Sequence, residues 1–262
     1  MTPPAAIMQE VAGRLRAAKR VAVLTGAGIS AESGVPTFRD ALTGLWARFR
    51  PEELATPEAF ACDPALVWRW YRMRRDMVRA AEPNAGHRAL VELSRRVPRF
   101  TLITQNVDAL HRRAGSTDVV ELHGDITRAR CAGACPRDTS LLHESEWTER
   151  DDGPPLCSRC SAASLRPDVV WFGEMLPPAA LERATAEAGA CDLFLSVGTS
   201  NVVEPAASLP WLAARAGAAV VVVNPDMAGQ RSGANIHHLA GPAGTILPQL
   251  VRAAFPESSA SA

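Results

Sequence analysis

Val21-Ala22-Val23-Leu24-Thr25-Gly26-Ala27-Gly28-Ile29-Ser30-Ala31-Glu32-Ser33-Gly34-Val35-Pro36-Thr37-Phe38-Arg39 is the stretch whose reading decides the fold. Its first five residues are an apolar run of strand length. The run breaks into glycines, so backbone N–H groups can approach a diphosphate closely. Gly-x-Gly-x-x-Ala alone is a weak nucleotide signal. A dinucleotide-binding dehydrogenase also needs an acid about 20 residues on, at the end of the second strand, to hold the ribose. Thr43-Gly44-Leu45-Trp46-Ala47-Arg48 stands there instead, with no carboxylate and no second strand. The loop reads as a dinucleotide site rebuilt for something other than hydride transfer.

Outward from this loop, further apolar strands are predicted at Phe100–Thr104, Val119–Leu122, Asp168–Phe172, Asp192–Val197 and Ala218–Val223. Helical spacing is present over 5–19, around Leu90 and Leu93, and over 178–189 and 204–215. Alternation of helices with strongly apolar strands predicts an α/β fold with a doubly wound, parallel, Rossmann-like sheet. Ligands of such sheets gather at the carboxyl ends of the strands. Two segments interrupt the alternation. Residues 43–85 are rich in Trp, Arg and Ala and read as helices. Residues 128–165 are polar and carry paired cysteines. Residues 1–42, 86–127 and 166–262 are therefore expected to form one discontinuous dinucleotide-binding domain, with 43–85 as the helical insertion and 128–165 as the zinc-binding module of a smaller lobe.

The 262 residues are 47% apolar and formally uncharged, with 28 basic and 28 acidic side chains. That balance gives no nucleic-acid footprint, and no apolar run is long enough for a membrane span. Met1-Thr2-Pro3-Pro4-Ala5 has neither the charged nor the apolar region of a signal peptide. The expected setting is a cytoplasmic monomer without nucleic-acid or membrane partners. Lys19 is the sole lysine, and the tail Pro256–Ala262 reads as disordered.

Cys131-x3-Cys135 and Cys157-x2-Cys160 suit a tetrahedral four-thiolate zinc site. The alternative is four unrelated buried thiols. The surrounding segment lacks the apolar periodicity for a core of its own, so a metal cross-link would supply folding energy. With no water-activating side chain among the ligands, the site is expected to be closed and structural.

Gln105, Asn106 and Asp108 follow a strand directly and suit a ribose and a carboxamide, although Asn106 or Asp108 would equally cap a helix. His123-Gly124 ends the next strand. A histidine there can act as a general base or be purely structural.

Taken in order, the Gly26–Arg39 loop, Thr104-Gln105-Asn106-Val107-Asp108-Ala109-Leu110-His111, His123-Gly124, the two cysteine pairs, Trp171-Phe172-Gly173-Glu174 and Gly198-Thr199-Ser200 resemble the sirtuins, NAD-dependent protein-lysine deacylases. The resemblance spans about Val21 to Gly244. It implies that NAD is consumed: the acyl oxygen attacks the nicotinamide ribose, nicotinamide leaves, and a histidine then takes a ribose proton so that the acyl group migrates. His123 matches that base, with Asn106 beside it as a second catalytic residue. Gly26, Ala27, Gly28, Ser30, Ala31, Pro36, Thr37, Phe38, Arg39 and Trp46 match the phosphate and nicotinamide side. Gln105, Asn106, Val107 and Asp108 match the ribose side. Gly198, Thr199, Ser200, Asn224, Pro225, Asp226 and Ala243 match the adenosine side. Val170, Trp171, Phe172, Gly173 and Glu174 match a strip that binds acyl-lysine proteins by strand addition, with Trp171 or Phe172 also readable as a core aromatic. An ADP-ribosyltransferase would use the same NAD chemistry. A non-catalytic NAD module would have lost the base, and a dehydrogenase lacks its acid.

Tyr71 and Arg74 are three residues apart and share a helix face. A phenol and a guanidinium suit a carboxylate. Tyr-x-x-Arg resembles the subclass that removes succinyl, malonyl or glutaryl groups, and Ala55 matches a small residue that widens the pocket. Three departures stand out: the three-residue spacing of Cys131 and Cys135, Asn201, and Glu204, a carboxylate expected near the substrate groove.

Overall fold

The computed structural model describes residues 5–36, 50–133, 135, 141–226, 233 and 235–256. Its strands are β1 (Arg20–Thr25), β2 (Arg99–Thr104), β3 (Val119–Glu121), β4 (Gly124–Cys131), β5 (Leu141–His143), β6 (Leu165–Val169), β7 (Leu193–Val197), β8 (Ala219–Asn224) and β9 (Ile236–Ala240). Six of them form a parallel sheet in the order β3-β2-β1-β7-β8-β9. The strand order reverses between β1 and β7, which puts the switch-point crevice outside their carboxyl ends.

Side-chain alternation along β1 shows why this segment is central. Val21 and Val23 enter one core with the helices Ala5–Ala17, Ala85–Arg96 and Ala243–Ala254. Ala22 and Leu24 enter the other, with the helices Pro178–Ala190 and Leu209–Arg215. A strand apolar on both faces must be covered on both, and three layers result.

β4 pairs antiparallel with β5 and with β6 in a second, three-stranded sheet. This corrects the sequence reading in two ways. The strand expected at Asp168–Phe172 runs Leu165–Val169 and joins the small sheet, so Val170–Glu174 is a connection rather than a strand. β4 begins at Gly124, inside what reads from sequence as the dinucleotide domain. Residues 204–215 hold a 3-10 turn at Ala206–Ser208 and the short helix Leu209–Arg215 rather than one helix.

The helix Pro64–Ala80 joins the lobes with two buried stripes. Val67, Trp70, Tyr71 and Val78 lie in a cluster with Ala55, Ile126, Val169 and Trp171. Trp68 lies instead among Ala129, Cys131, Leu142, Cys157 and Leu165 of the cysteine module. The module thus completes its core with a side chain borrowed from the helical insertion.

Candidate active site

Two glycine loops meet at the switch point. A Cβ on Gly26 or Gly28 would come within 2.8 Å of the Gly198 carbonyl oxygen, and one on Gly198 within 2.4 Å of Ile29 N. Gly28 N donates to Gly198 O at 2.8 Å, and Gly26 N to Val197 O at 3.0 Å. These glycines therefore first allow the β1 and β7 loops to lie backbone against backbone. Asn224, at the end of β8, joins them by donating from Nδ2 to Thr199 O at 3.1 Å. Its neighbours Pro225 and Asp226 follow on the same edge, Asp226 N donating to Asn224 Oδ1 at 3.4 Å. Ser200 is exposed beside Thr199.

Gln105 bridges this edge to His123. Its Nε2 donates to Thr199 Oγ1 at 3.0 Å, and its carbonyl oxygen lies 2.9 Å from His123 Nδ1. A carbonyl only accepts, so the neutral ring carries its proton on Nδ1 and keeps a lone pair on Nε2. Burial lowers the His123 pKa below the ordinary histidine value. His123 stands where the chain leaves the parallel sheet for the small one. The next residue, Gly124, has φ +83°, and a Cβ there would sit 2.1 Å from Asp168 O. Only glycine fits that corner.

Ser30 Oγ donates to Asp108 Oδ2 at 2.6 Å and accepts from Asn106 Nδ2 at 3.2 Å. Asp108 also accepts from Leu110 N at 3.0 Å through Oδ1, at the start of the short helix Leu110–Arg113. Ala31 opens the next turn, and Glu32 Oε2 accepts from Gly244 N at 2.6 Å beside Ala243, tying the loop to the C-terminal helix. Pro36 is the last described residue of this loop. Thr37, Phe38, Arg39 and Trp46 lie outside the described residues, as does the tail from residue 257.

Sequence reasoning missed the support beneath this loop. Asn84 caps the helix Ala85–Arg96, and its Nδ2 donates to Ile29 O at 2.7 Å and Ser33 Oγ at 3.0 Å. His87 Nε2 lies 3.5 Å from Ser30 Oγ. The His111 ring, 4.9 Å from that of His87, contacts Thr25 Oγ1 through Nε2 at 2.9 Å. An asparagine ahead of a helical run is a helix-start signal that could have found the Asn84 cap, but no local signal marks its reach across 55 residues to Ile29. Burial holds His87 down to about 4 and His111 to about 3. The unfolded chain therefore binds protons that the fold refuses as pH drops below about 6.5, and stability falls by about 1.4 kcal/mol per pH unit for each group. Asp108, its carboxyl pushed up by burial, works against this slope at the acid end. Thermal melts should show Tm decreasing from about pH 7 to about pH 5, and a His111→Gln variant should show a shallower decrease.

The residues named for the acyl pocket lie close together. Ala55, Tyr71 and Trp171 share one cluster, with Val107 packed against it. Trp171 Nε1 donates to Tyr71 OH at 3.0 Å. Arg74, 9% exposed, lies over the Trp70 ring at 5.1 Å. Trp171 is 3% exposed and Phe172 44%, so Trp171 is the core aromatic of the pair. Val170 N donates to His123 O, and Phe172 N to Ala55 O, each at 2.9 Å. Gly173 follows at φ +85°. The Glu174 side chain is committed elsewhere: it takes two hydrogen bonds from Arg166, at 2.6 and 2.8 Å, and one from Trp171 N. Glu204 is exposed and accepts from Ser208 Oγ at 2.7 Å.

The sulfur atoms of Cys131, Cys135, Cys157 and Cys160 all lie within 4.8 Å of one another, the one such group of potential ligands among the described residues. A tetrahedral site with Zn–S bonds of about 2.3 Å requires sulfurs about 3.8 Å apart. The 3.7 Å between Cys131 and Cys160 meets this. The three-residue spacing is accommodated: Gly133 N donates to Cys131 Sγ at 3.3 Å inside the turn.

Comparison with known proteins agrees with this geometry. The model of the Sir2 family matches residues 26–205. NAD-dependent protein deacylase 1 of Pseudomonas aeruginosa is 53% identical over 253 residues, covering 95% of this chain and 100% of the relative. NAD-dependent protein deacylase 2 of Pyrobaculum aerophilum is 52% identical over 241 residues, covering 92% and 93%. The crystal structure of a Sir2 homologue–NAD complex superposes with a TM-score of 0.85 at 44% identity, covering 93% of this chain and 92% of the other. A Sir2 protein bound to acetylated peptide superposes at 0.81 with 28% identity, covering 94% and 97%.

Proposed function

The chain belongs to the Sir2 family and is an NAD-dependent protein deacylase; from that premise we propose that it prefers lysine acyl groups ending in a carboxylate, the succinyl, malonyl and glutaryl class. NAD supplies the ADP-ribosyl acceptor and nicotinamide as leaving group. His123 is the general base: its Nδ1 proton is engaged by Gln105 O, and a pKa held below the ordinary value keeps Nε2 available at neutral pH. Ser30, Asn106 and Asp108, already joined in one hydrogen-bonded set, hold the ribose and nicotinamide side. Thr199 and Asn224 serve the adenosine side. The backbone of Val170–Gly173, with exposed Phe172 and Met175, receives the acyl-lysine protein.

One observation carries the acyl preference. Arg74 is a cation withdrawn from water, facing Tyr71 on the helix Pro64–Ala80 at the Ala55–Trp171 cluster. A buried guanidinium offers a carboxylate a fork of donors with little competing hydration. Arg74→Met should lower kcat/KM for a succinyl-lysine peptide about 30-fold or more, the loss of one partner of a buried charge pair. The same change should cost far less on an acetyl-lysine peptide. Equal losses on both peptides would overturn the pocket assignment.

The NAD domain then comprises residues 1–42, 86–123 and 170–262, its inner boundaries following sheet membership. Among the described residues no helix is long and apolar enough to cross a membrane. A cytoplasmic monomer without nucleic-acid partners is part of this proposal.

A further inference from the structure

Arg75, next to Arg74, plays no part in the pocket, yet it is fully buried. Its Nη1 donates to Glu149 Oε1 at 2.7 Å, and its Nε to Ile126 O at 3.2 Å. Its guanidinium lies 5.0 Å from the Trp68 ring and 5.3 Å from the Trp147 ring. Both indoles also donate to the Glu149 carboxylate, Trp68 at 2.7 Å and Trp147 at 3.2 Å. Three donors thus converge on one carboxylate that belongs to the segment between the two cysteine pairs. Trp68 itself packs among Cys131 and Cys157.

The helix Pro64–Ala80 therefore has two attachments. One stripe, Trp68 and Arg75, is bolted to the cysteine module. The other, Val67, Tyr71 and Val78, packs in the acyl cluster, which also contains the Ile126 side chain. Rotation of the helix about its axis would move Tyr71 and Arg74 relative to Ala55 and Trp171, and the Glu149 contacts oppose that rotation.

We propose that Glu149 and Arg75 are positioning residues for acyl selectivity, holding the register of the helix that presents Tyr71 and Arg74. This rests on the acidic-acyl reading. Neither residue touches substrate; both act through the helix. A guanidinium held against two nearly perpendicular indoles and fixed by a carboxylate is confined in orientation, and Lys could not reproduce it. An acetyl group makes no use of the Arg74 fork and is indifferent to small rotations, whereas a terminal carboxylate must meet donors in fixed geometry.

The test compares Glu149→Gln with the parent enzyme on succinyl- and acetyl-lysine peptides of one sequence, with zinc content, Tm and the KM for NAD measured alongside. Glutamine keeps the shape and removes the nearer of the two carboxylates facing Arg75, the other being Glu144 at 3.8 Å. The expected result is a KM for the succinyl peptide raised about tenfold, within the usual range for a coupling between sites. The KM for the acetyl peptide and for NAD should change less than about twofold, with zinc retained. Parallel changes on both peptides, or no change on either, would overturn the proposal. Should the single variant fold poorly, the Arg75→Met/Glu149→Gln double variant removes the buried Arg75 charge together with its half-buried partner, an exchange such sites often tolerate. It should regain Tm and still lack the succinyl preference; a regained preference would also overturn the proposal. Arg74→Met separates the two readings. If it changes the succinyl-to-acetyl ratio while Glu149→Gln does not, the coupling alone fails; if it does not change the ratio, the pocket reading fails first.

Discussion

His123→Ala is expected to lower acyl transfer about 10²–10⁴-fold, the usual contribution of a positioned general base, equivalent to about 3–5 kcal/mol of barrier. Exchange of labelled nicotinamide into NAD should fall much less, because in the reaction implied by the sirtuin resemblance nicotinamide departs before the base takes its proton. The two assays together separate loss of a base from loss of NAD binding. The sign of the pH effect follows from the protonation state. The base works when neutral, and burial lowers the His123 pKa. The acid limb of kcat/KM in the parent enzyme should accordingly lie below the ordinary histidine value of about 6.5, and it should vanish in the variant. His123 is half-buried and its hydrogen bond goes to a carbonyl that can turn to water, so Tm should change little. Acyl transfer within about threefold of the parent would remove His123 from the mechanism.

His123 was legible as a candidate because a histidine followed by glycine at a strand end is a local pattern; its role as base came only through the sirtuin resemblance. The reason for the glycine was not legible, since Gly124 is required by the approach of Asp168, 44 residues away. The same contrast runs through the fold. β1, β2, β7 and β8 are predominantly apolar because both faces of the parallel sheet are covered. β9 was missed because His237 and His238 interrupt its apolar pattern. β4 was missed because Asp125, Thr127, Arg128 and Arg130 make it read as polar. In the structure Arg128 is paired with Glu121 at 2.7 Å and Asp168 at 3.2 Å, so its charge is offset by partners on β3 and β6. Strands stabilised by burial declare themselves in sequence. Those stabilised by cross-strand ion pairs depend on partners that no local window contains. The site divides likewise: Gln105, Asn106 and Asp108 announce themselves as a polar cluster after a strand, whereas His87 and Asn84 reach Ser30 and Ile29 only through the packed fold.

Removing the metal should have the largest structural effect. Four-thiolate zinc contributes about 10–16 kcal/mol to small modules, comparable to the whole stability of an ordinary domain. Here the sulfurs are also packing atoms: Cys131 and Cys157 are buried in the cluster that holds Trp68. Cys157→Ser, or exhaustive chelation, should therefore release the zinc, melt the β4-β5-β6 sheet and loosen the helix Pro64–Ala80 together with Tyr71 and Arg74. Deacylation of every peptide should drop more than about a hundredfold, a larger and less selective loss than changing Arg74 alone. Tryptophan emission should move to longer wavelength as Trp68 and Trp147 meet water. The parallel sheet has its own two cores and should keep its circular dichroism. Cys62, exposed, and Cys191, buried against the helix Pro178–Ala190, lie outside the ligand group, so Cys62→Ser and Cys191→Ala should bind zinc as the parent does. A zinc-depleted protein that still deacylates at the parent rate would show that the module is dispensable. It would also remove the mechanical basis for coupling the cysteine module to the acyl pocket, because a helix held without the metal does not need Glu149 to set its register.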